Sequence, residues 1–103
     1  MPVVVTAIFT PAEGAKQQLV DALRTAMPAV HEEQGCELYA IHDAEDGTIT
    51  MIEKWESAEL LAEHGAGEAV AALNTAVAPF LAKPIAVTRM TPIAAGTDEQ
   101  GLL

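Results

Sequence analysis

The chain has 103 residues, a formal net charge of −10 and a hydrophobic share of one half. This length is sufficient for one domain, which on folding buries roughly two thirds of the surface that the unfolded chain exposes. Its acidity argues against nucleic acid or an anionic membrane as a partner, because both are bound mainly through Lys and Arg. The single cysteine, Cys36, excludes an intramolecular disulfide, and the absence of a signal-peptide pattern or a ~20-residue apolar run predicts a cytoplasmic protein.

The first third of the chain predicts a strand followed by a long helix. Residues 2–9 are rich in β-branched side chains, which favours a strand, and residues 10–14 contain the Pro and Gly of a turn. Residues 15–33 carry an apolar stripe at helical spacing, formed by Leu19, Val20, Leu23, Met27 and Val30. Pro28 predicts a kink because it lacks a backbone N–H, and Gly35 predicts the helix end as a left-handed cap.

A hairpin and a helix start come next. Strands are predicted over residues 36–43 and 48–56, and the turn between them contains Gly47, which can supply the positive φ that a tight turn needs. Ser57 predicts a helix N-cap, and Glu59 is well placed near the positive end of that helix.

The last third predicts two helices, a strand and a tail. Gly65 and Gly67 interrupt the helical pattern, so a short helix precedes a second one from residue 68 to about residue 82, and Pro79 leaves the last turn of that helix open. A fourth strand is predicted over residues 85–90. We treat residues 1–92 as the domain, and residues 93–103 as a tail that is either flexible or an arm laid on a partner.

This order of elements, β-α-β-β-α-β, predicts an α+β fold of the ferredoxin-like type, a four-stranded antiparallel sheet with helices on one face. The uncovered face of such a sheet is expected to be polar. Here the first strand alternates Val3, Val5, Ala7 and Phe9 with Val4, Thr6 and Ile8, and the third strand places Ile52 opposite Ile49, Met51 and Trp55. Because both faces are apolar, the sequence predicts a homodimer through the open face of the sheet.

The motifs exclude several kinds of site and indicate one. No glycine-rich phosphate loop or dinucleotide fingerprint is present, and the three histidines lack the spacing of a metal site, so no metal is predicted. Glu53 and Trp55 share one strand face, and His64 follows one short helix later. Together they predict an apolar slot with a few polar groups, as small-molecule sites commonly have.

Four segments carry a resemblance to a known family. They are residues 11–14, residues 32–39, residues 53–57 and His64, in this order and spacing. On these segments the chain resembles the antibiotic biosynthesis monooxygenase family of dimeric α+β barrels, which includes small quinol monooxygenases, and the similarity extends from about Val3 to Pro92.

The resemblance implies an oxidoreductase that needs no cofactor and uses O2 on a small electron-rich aromatic such as a quinol, naphthol or anthrone. Trp55 would stack on or wall the ring, and His64 would be the base or hydrogen-bond donor, because histidine changes charge most readily near neutral pH. Tyr39 and His42 would be secondary polar groups. Glu53 and Met51 complete the predicted substrate-binding set.

Structural roles for the same residues stay open. Trp55 could equally be core packing and His64 a favourable helix-end charge, while Glu53 could pair with a backbone group, with Lys54 or with Arg89. Two other functions also stay open, a non-catalytic dimer that binds or regulates, and a cofactor-free isomerase or decarboxylase of a cyclic ketide.

Family members differ from this chain at two positions. The chain lacks the Asn that some active family members have in the third strand, since its only Asn is Asn74. The first strand also lacks the Asn of haem-degrading relatives, so haem cleavage is not expected.

Overall fold

The computed structural model describes all residues of the chain, 1–103, and contains four strands and four α-helices. In chain order they are β1 (Val3–Phe9), α1 (Lys16–His31), β2 (Cys36–Asp43), β3 (Ile49–Trp55), α2 (Ala58–Gly65), α3 (Glu68–Val77), a 3₁₀ turn (Ala78–Phe80), β4 (Ala86–Met90) and α4 (Asp98–Gly101). The predicted strands and the three main helices are therefore present, and α4 is a four-residue addition in the tail.

The strands form one antiparallel sheet in the order β2-β3-β1-β4. This is the ferredoxin-like arrangement that the sequence predicts, with β1 and β3 in the centre. Glu53 of β3 lies between Val5 of β1 and Tyr39 of β2, and Arg89 of β4 pairs with Val5 on the other side. The sheet of one chain is open, with β2 and β4 at its edges.

One face of the sheet forms the core with the helices. Alternation along β1 and β3 sends every second side chain towards α1 and α3, and the buried residues of α1 are the members of its apolar stripe. The central apolar members, nearly all fully buried, are Val5, Phe9, Leu19, Leu23, Val30, Ile49, Met51, Trp55, Leu73 and Val77. Apart from Tyr39, only two residues with polar side chains are buried, Glu53 and His64.

The opposite face of the sheet carries the other half of the alternation. Ala40, Ile52 and Thr6 lie in one row across β2, β3 and β1, and Ile8 and Met90 are exposed large apolar side chains. This face therefore mixes apolar side chains with Thr6, Thr50 and Thr88, and it lacks a uniformly polar coating. Lys54 also projects from this face and pairs with Glu37 at 3.8 Å.

Two helix ends differ from the prediction. α1 ends at His31, and Gly35, at φ +86°, lies in the turn that follows, where its carbonyl accepts the Glu56 N–H at 2.9 Å. The helix that follows Gly67 ends at Val77 instead of continuing to residue 82. Pro79 has no N–H to continue the helical hydrogen bonds, and the Ala82 N–H donates instead to the Thr10 carbonyl beside the turn after β1.

Local capping follows the sequence closely elsewhere. Ser57 is the N-cap of α2, and its hydroxyl accepts the Leu60 N–H at 3.2 Å. In the β2–β3 turn Gly47 has φ +90°, and the Asp46 carboxylate accepts from both the N–H and the hydroxyl of Thr48. These hydrogen bonds hold the pKa of Asp46 below its ordinary value. None of the helices is both long and apolar enough to span a bilayer.

Candidate functional site

A cavity of about 360 Å³ lies between the sheet and helices α2 and α3. Its wall is largely apolar, formed by Val5, Ala7, Phe9, Leu61, Val70, Leu73, Ile85 and Val87. Five polar or charged side chains also reach it, namely Tyr39, Glu53, His64, Asn74 and Arg89. An apolar cavity with a few polar groups is the usual form of a small-molecule site.

Glu53 is a buried carboxyl group on the central strand β3. Its side chain belongs to a residue only 6% exposed, and its Oε1 accepts the indole N–H of Trp55 at 2.9 Å. Burial raises the pKa of Glu53, while the Trp55 hydrogen bond and the charges of His64 and Arg89 act in the opposite direction. The hydrogen-bond partner of Glu53 is thus Trp55, and neither Lys54 nor Arg89 forms an ion pair with it.

His64 is held from two sides at the end of α2. Its ring stacks on Trp55, with centroids 4.5 Å apart and planes inclined by 30°, and meets Tyr39 edge-on at 5.5 Å. Its Nδ1 lies 2.7 Å from Oε1 of Glu33. A carboxylate at this position favours the tautomer that carries the proton on Nδ1, which leaves Nε2 as a proton acceptor.

Local packing explains how Glu33 meets a histidine that lies 31 residues further along the chain. The Ser57 cap starts α2 directly after β3, so the helix folds back over the end of the sheet. Gly35 lies against this helix so closely that a Cβ there would be 2.5 Å from the Leu60 Cδ1. The residue without a side chain therefore allows the turn after α1, and Glu33 with it, to reach α2.

Three polar atoms are left free at the cavity. His64 Nε2, the second carboxyl oxygen of Glu53 and the hydroxyl of Tyr39 have no hydrogen-bond partner within the chain. Every fully buried side-chain nitrogen or oxygen has one, so these three atoms must retain access to open space. All three residues are over 90% buried and line the cavity, and Tyr39 also borders a groove beside His31 and Cys36.

Tyr39 faces Glu53 across the β2–β3 pairing. Burial, and then the nearby carboxylate of Glu53, raise the pKa of Tyr39 well above its ordinary range. The phenol therefore keeps its proton at neutral pH and can donate a hydrogen bond into the cavity.

Two further polar residues, Asn74 on α3 and Arg89 on β4, lie on the exposed side of the cavity. Sequence reasoning did not place either of them, or Glu33, in the site. For Arg89 a signal existed, because alternation along β4 puts it on the face of Val87, but using it requires the strand order. Glu33 belongs to the segment 32–39 that carries the family resemblance, and nothing in the local spacing connects it to His64.

Three of the predicted site residues lie outside the cavity. Trp55 is fully buried beneath His64, and Met51 is fully buried in the core, so neither lines the wall. His42 is exposed at the far end of β2, where it lines a separate groove of about 510 Å³ with charged residues of α1. The structure thus brings together Tyr39, Glu53 and His64, with Trp55 as a support.

The remaining groups near the site are a thiol and the carboxylates around it. Burial, followed by the charges of Glu33 and Glu53, raises the pKa of Cys36, so this residue stays a thiol at neutral pH. No group of three or more His, Cys, Asp or Glu side chains is arranged to hold a metal ion. What the geometry offers is an imidazole base, a phenol, a carboxyl group and a guanidinium around an apolar volume.

Comparison with known proteins adds the family. The model of the family described as "Antibiotic biosynthesis monooxygenase" matches residues 2–76. A Mycobacterium tuberculosis protein named "Putative monooxygenase Rv0793" is 29% identical over 93 residues, which is 89% of this chain and 92% of that protein.

Solved structures agree with this result. The structure of Rv0793 superimposes with a TM-score of 0.84 at 28% identity, over 94% of this chain and all of that one. A conserved protein of Methanosarcina mazei gives 0.81 at 16% identity over 87% and 91% of the two chains, and PA3566 of Pseudomonas aeruginosa gives 0.79 at 23% over 90% and 95%. The latter two show the fold alone. Because the family model covers most of the domain, this chain belongs to the antibiotic biosynthesis monooxygenase family.

Proposed function

We propose that the protein is a cytoplasmic oxygenase that acts with O2, and without flavin, haem or metal, on a small electron-rich aromatic with a hydroxyl group. The observation that carries the proposal is the Glu33–His64 pair, at 2.7 Å, with the second imidazole nitrogen free at an apolar cavity. The family membership and the "Putative monooxygenase" relative support it.

His64 supplies the first step. Its Nε2 takes the proton of the substrate hydroxyl, and Glu33 stabilises the imidazolium that forms. The product is a phenolate in an apolar cavity, where the guanidinium of Arg89 is the available positive charge. A phenolate is a much stronger reductant than the phenol, so the substrate itself passes electrons to O2.

The overall reaction balances without another reductant. For a phenol oxidised to a para-quinone, one oxygen atom of O2 bonds to the ring carbon opposite the hydroxyl, and the other leaves as water with the two hydrogens that the substrate loses. All four electrons come from the aromatic ring. The protein forms the phenolate through His64 and stabilises it through Arg89, and the phenolate itself then reacts with O2.

Oxygen uptake by the purified protein is the direct test. The assay contains a chelator and no nicotinamide or flavin, and its panel holds hydroquinones, dihydroxynaphthalenes and anthrones, each corrected for spontaneous oxidation. Uptake well above background that is lost in folded His64→Ala supports the proposal. No uptake across the panel, combined with thermal stabilisation by the same compounds, would instead indicate a non-catalytic binding module.

We also propose that two copies pack through the open face of their sheets, which would close the α+β barrel typical of the family. The row Ala40, Ile52 and Thr6 lies at the centre of this face. Ile52→Lys is expected to give a monomer in size-exclusion chromatography with light scattering, whereas Ala72→Lys, at an exposed position of α3, is expected to leave the dimer intact. A wild-type monomer at micromolar concentration would contradict this proposal.

A further inference from the structure

The cavity combines a proton acceptor with a phenol and a carboxyl group, and this combination suits a second reaction. We propose that the site also catalyses keto–enol interconversion of a cyclic aryl ketone in the absence of O2, with His64 moving the carbon-bound proton and Tyr39 and Glu53 holding the carbonyl oxygen. The inference uses the base of the proposed oxygenase but does not depend on its oxygen chemistry.

The residues that carry these groups line the same cavity and are neighbours in the fold. His64 and Tyr39 meet edge to face at 5.5 Å, and Tyr39 is the cross-strand neighbour of Glu53. All three residues line the cavity, and their free atoms have no partner within the chain. A planar ketone lying in the cavity can therefore face Nε2 of His64 at one atom and the two oxygens at another.

The protonation of the oxygens favours ketone binding. The pKa of Tyr39 is raised by burial, so its phenol remains a hydrogen-bond donor at neutral pH. The pKa of Glu53 is also raised by burial, which increases the fraction of carboxylic acid that can donate a second hydrogen bond. Donors aimed at an oxygen that becomes an enolate stabilise the transition state more than the ground state.

The reaction moves one proton and no net electrons. Nε2 of His64 takes the proton from the carbon next to the carbonyl, the C–H electron pair forms the C=C bond, and the carbonyl π pair moves to oxygen. The oxygen takes a proton from the Glu53 carboxyl; the imidazolium, paired with Glu33, then gives its proton to solvent, and the Glu53 carboxylate takes one back from solvent. The sum is an isomerisation, and in D2O its reversal places deuterium on the carbon.

The test is hydrogen–deuterium exchange under strict anaerobiosis. The probes are 2-tetralone and anthrone in D2O, and NMR follows loss of the α-proton signal against the buffer-catalysed rate. Wild-type protein is expected to accelerate exchange at least tenfold. Tyr39→Phe is expected to reduce the enzymatic rate about tenfold or more, because one donor to the enolate oxygen is lost. Glu32→Gln, an exposed neighbour of Glu33, is the control and should exchange as wild type.

His64→Ala identifies the base. Exchange is expected to fall to the buffer rate in this variant and to recover when free imidazole is added, a rescue that a purely structural loss would not show. If this variant does not fold, Glu33→Gln serves in its place, with an expected drop of tenfold or more. Wild-type exchange at the buffer rate, or exchange that persists without His64, would overturn the inference. Exchange without oxygen uptake would support the keto–enol activity and refute the oxygenase. Oxygen uptake without exchange would support the oxygenase and refute the keto–enol activity.

Discussion

Replacing Glu33 by glutamine tests the pair on which the proposed chemistry depends. The Glu33–His64 contact at 2.7 Å becomes charge-assisted when the imidazole takes the substrate proton. A hydrogen bond to a charged group contributes about 1.5–3 kcal/mol, and about 1.4 kcal/mol corresponds to a tenfold change in rate. The side chain of Glu33 is 24% exposed, which places the effect in the lower half of that range. We therefore expect kcat for oxygen uptake to fall about 10- to 50-fold.

The matched control is Glu32→Gln. It removes the same charge from the neighbouring residue, which is exposed and does not contact His64. Its kcat should stay within about twofold of wild type, since an exposed charge at this distance is largely screened. The difference between the two variants then isolates the contact from the general field of an acidic protein.

A spectroscopic measurement separates positioning from folding. The amide that Glu33→Gln introduces can present either its oxygen or its NH2 group to Nδ1, so the tautomer of His64 is no longer fixed. We expect ¹⁵N–¹H correlation spectra of the imidazole to show one tautomer in wild type and a mixture in this variant. Equal rates and equal tautomer populations in the Glu32 and Glu33 variants would refute the assignment of Glu33 as a positioning residue.

Three further predictions concern stability. The pKa of Glu53 is raised in the folded state, so ionisation of this group destabilises the fold. The destabilisation is absent below the ordinary pKa of about 4.5 and complete above the raised pKa. Glu53→Gln should therefore raise Tm at about pH 8 but not at about pH 4. Gly35→Ala should cost about 2–4 kcal/mol in urea denaturation, from the strain at φ +86° plus the clash with Leu60, whereas Gly47→Ala, at φ +90° with open space around it, should cost about 1 kcal/mol from strain alone; equal costs would contradict the close packing. Trp55→Phe removes the donor to a buried carboxylate and should cost about 2–3 kcal/mol, with a smaller cost in the Glu53→Gln background, and additive effects in a double-mutant cycle would argue against that hydrogen bond.

The sequence predicts the fold well because its signals are local. The stripe of α1, the Ser57 cap and the turn at Gly47 each depend on a few neighbouring residues, and the structure contains all three. The predicted end of α3 was wrong for the opposite reason. Pro79 marks the last turn as a weak point, but the end of the helix also depends on the pairing of Ala82 with Thr10, a contact between distant segments.

The same distinction applies to the site. Tyr39, Glu53 and His64 could be selected because they are polar or aromatic residues at positions that belong to the sheet face or to a helix end. Glu33 and Arg89 could not, since one reaches the site through the packing of a turn on α2 and the other through strand order. Trp55 was placed at the cavity wall because a large ring suits that role, but it lies one layer deeper, under His64.

The cavity itself follows from the break between α2 and α3. α2 packs on β3 and brings His64 over Trp55, whereas α3 turns away to pack on α1, and the space between them lies over β1 and β4. Gly67, which separates the two helices, lies so close to Glu33 that a Cβ there would be 3.2 Å from the carboxylate Oε2. A side chain at this position would push the Glu33 carboxylate, which orients the base, by a few tenths of an ångström. The interruption that makes room for a substrate therefore also makes room for Glu33, so the cavity and the Glu33–His64 pair depend on the same short segment.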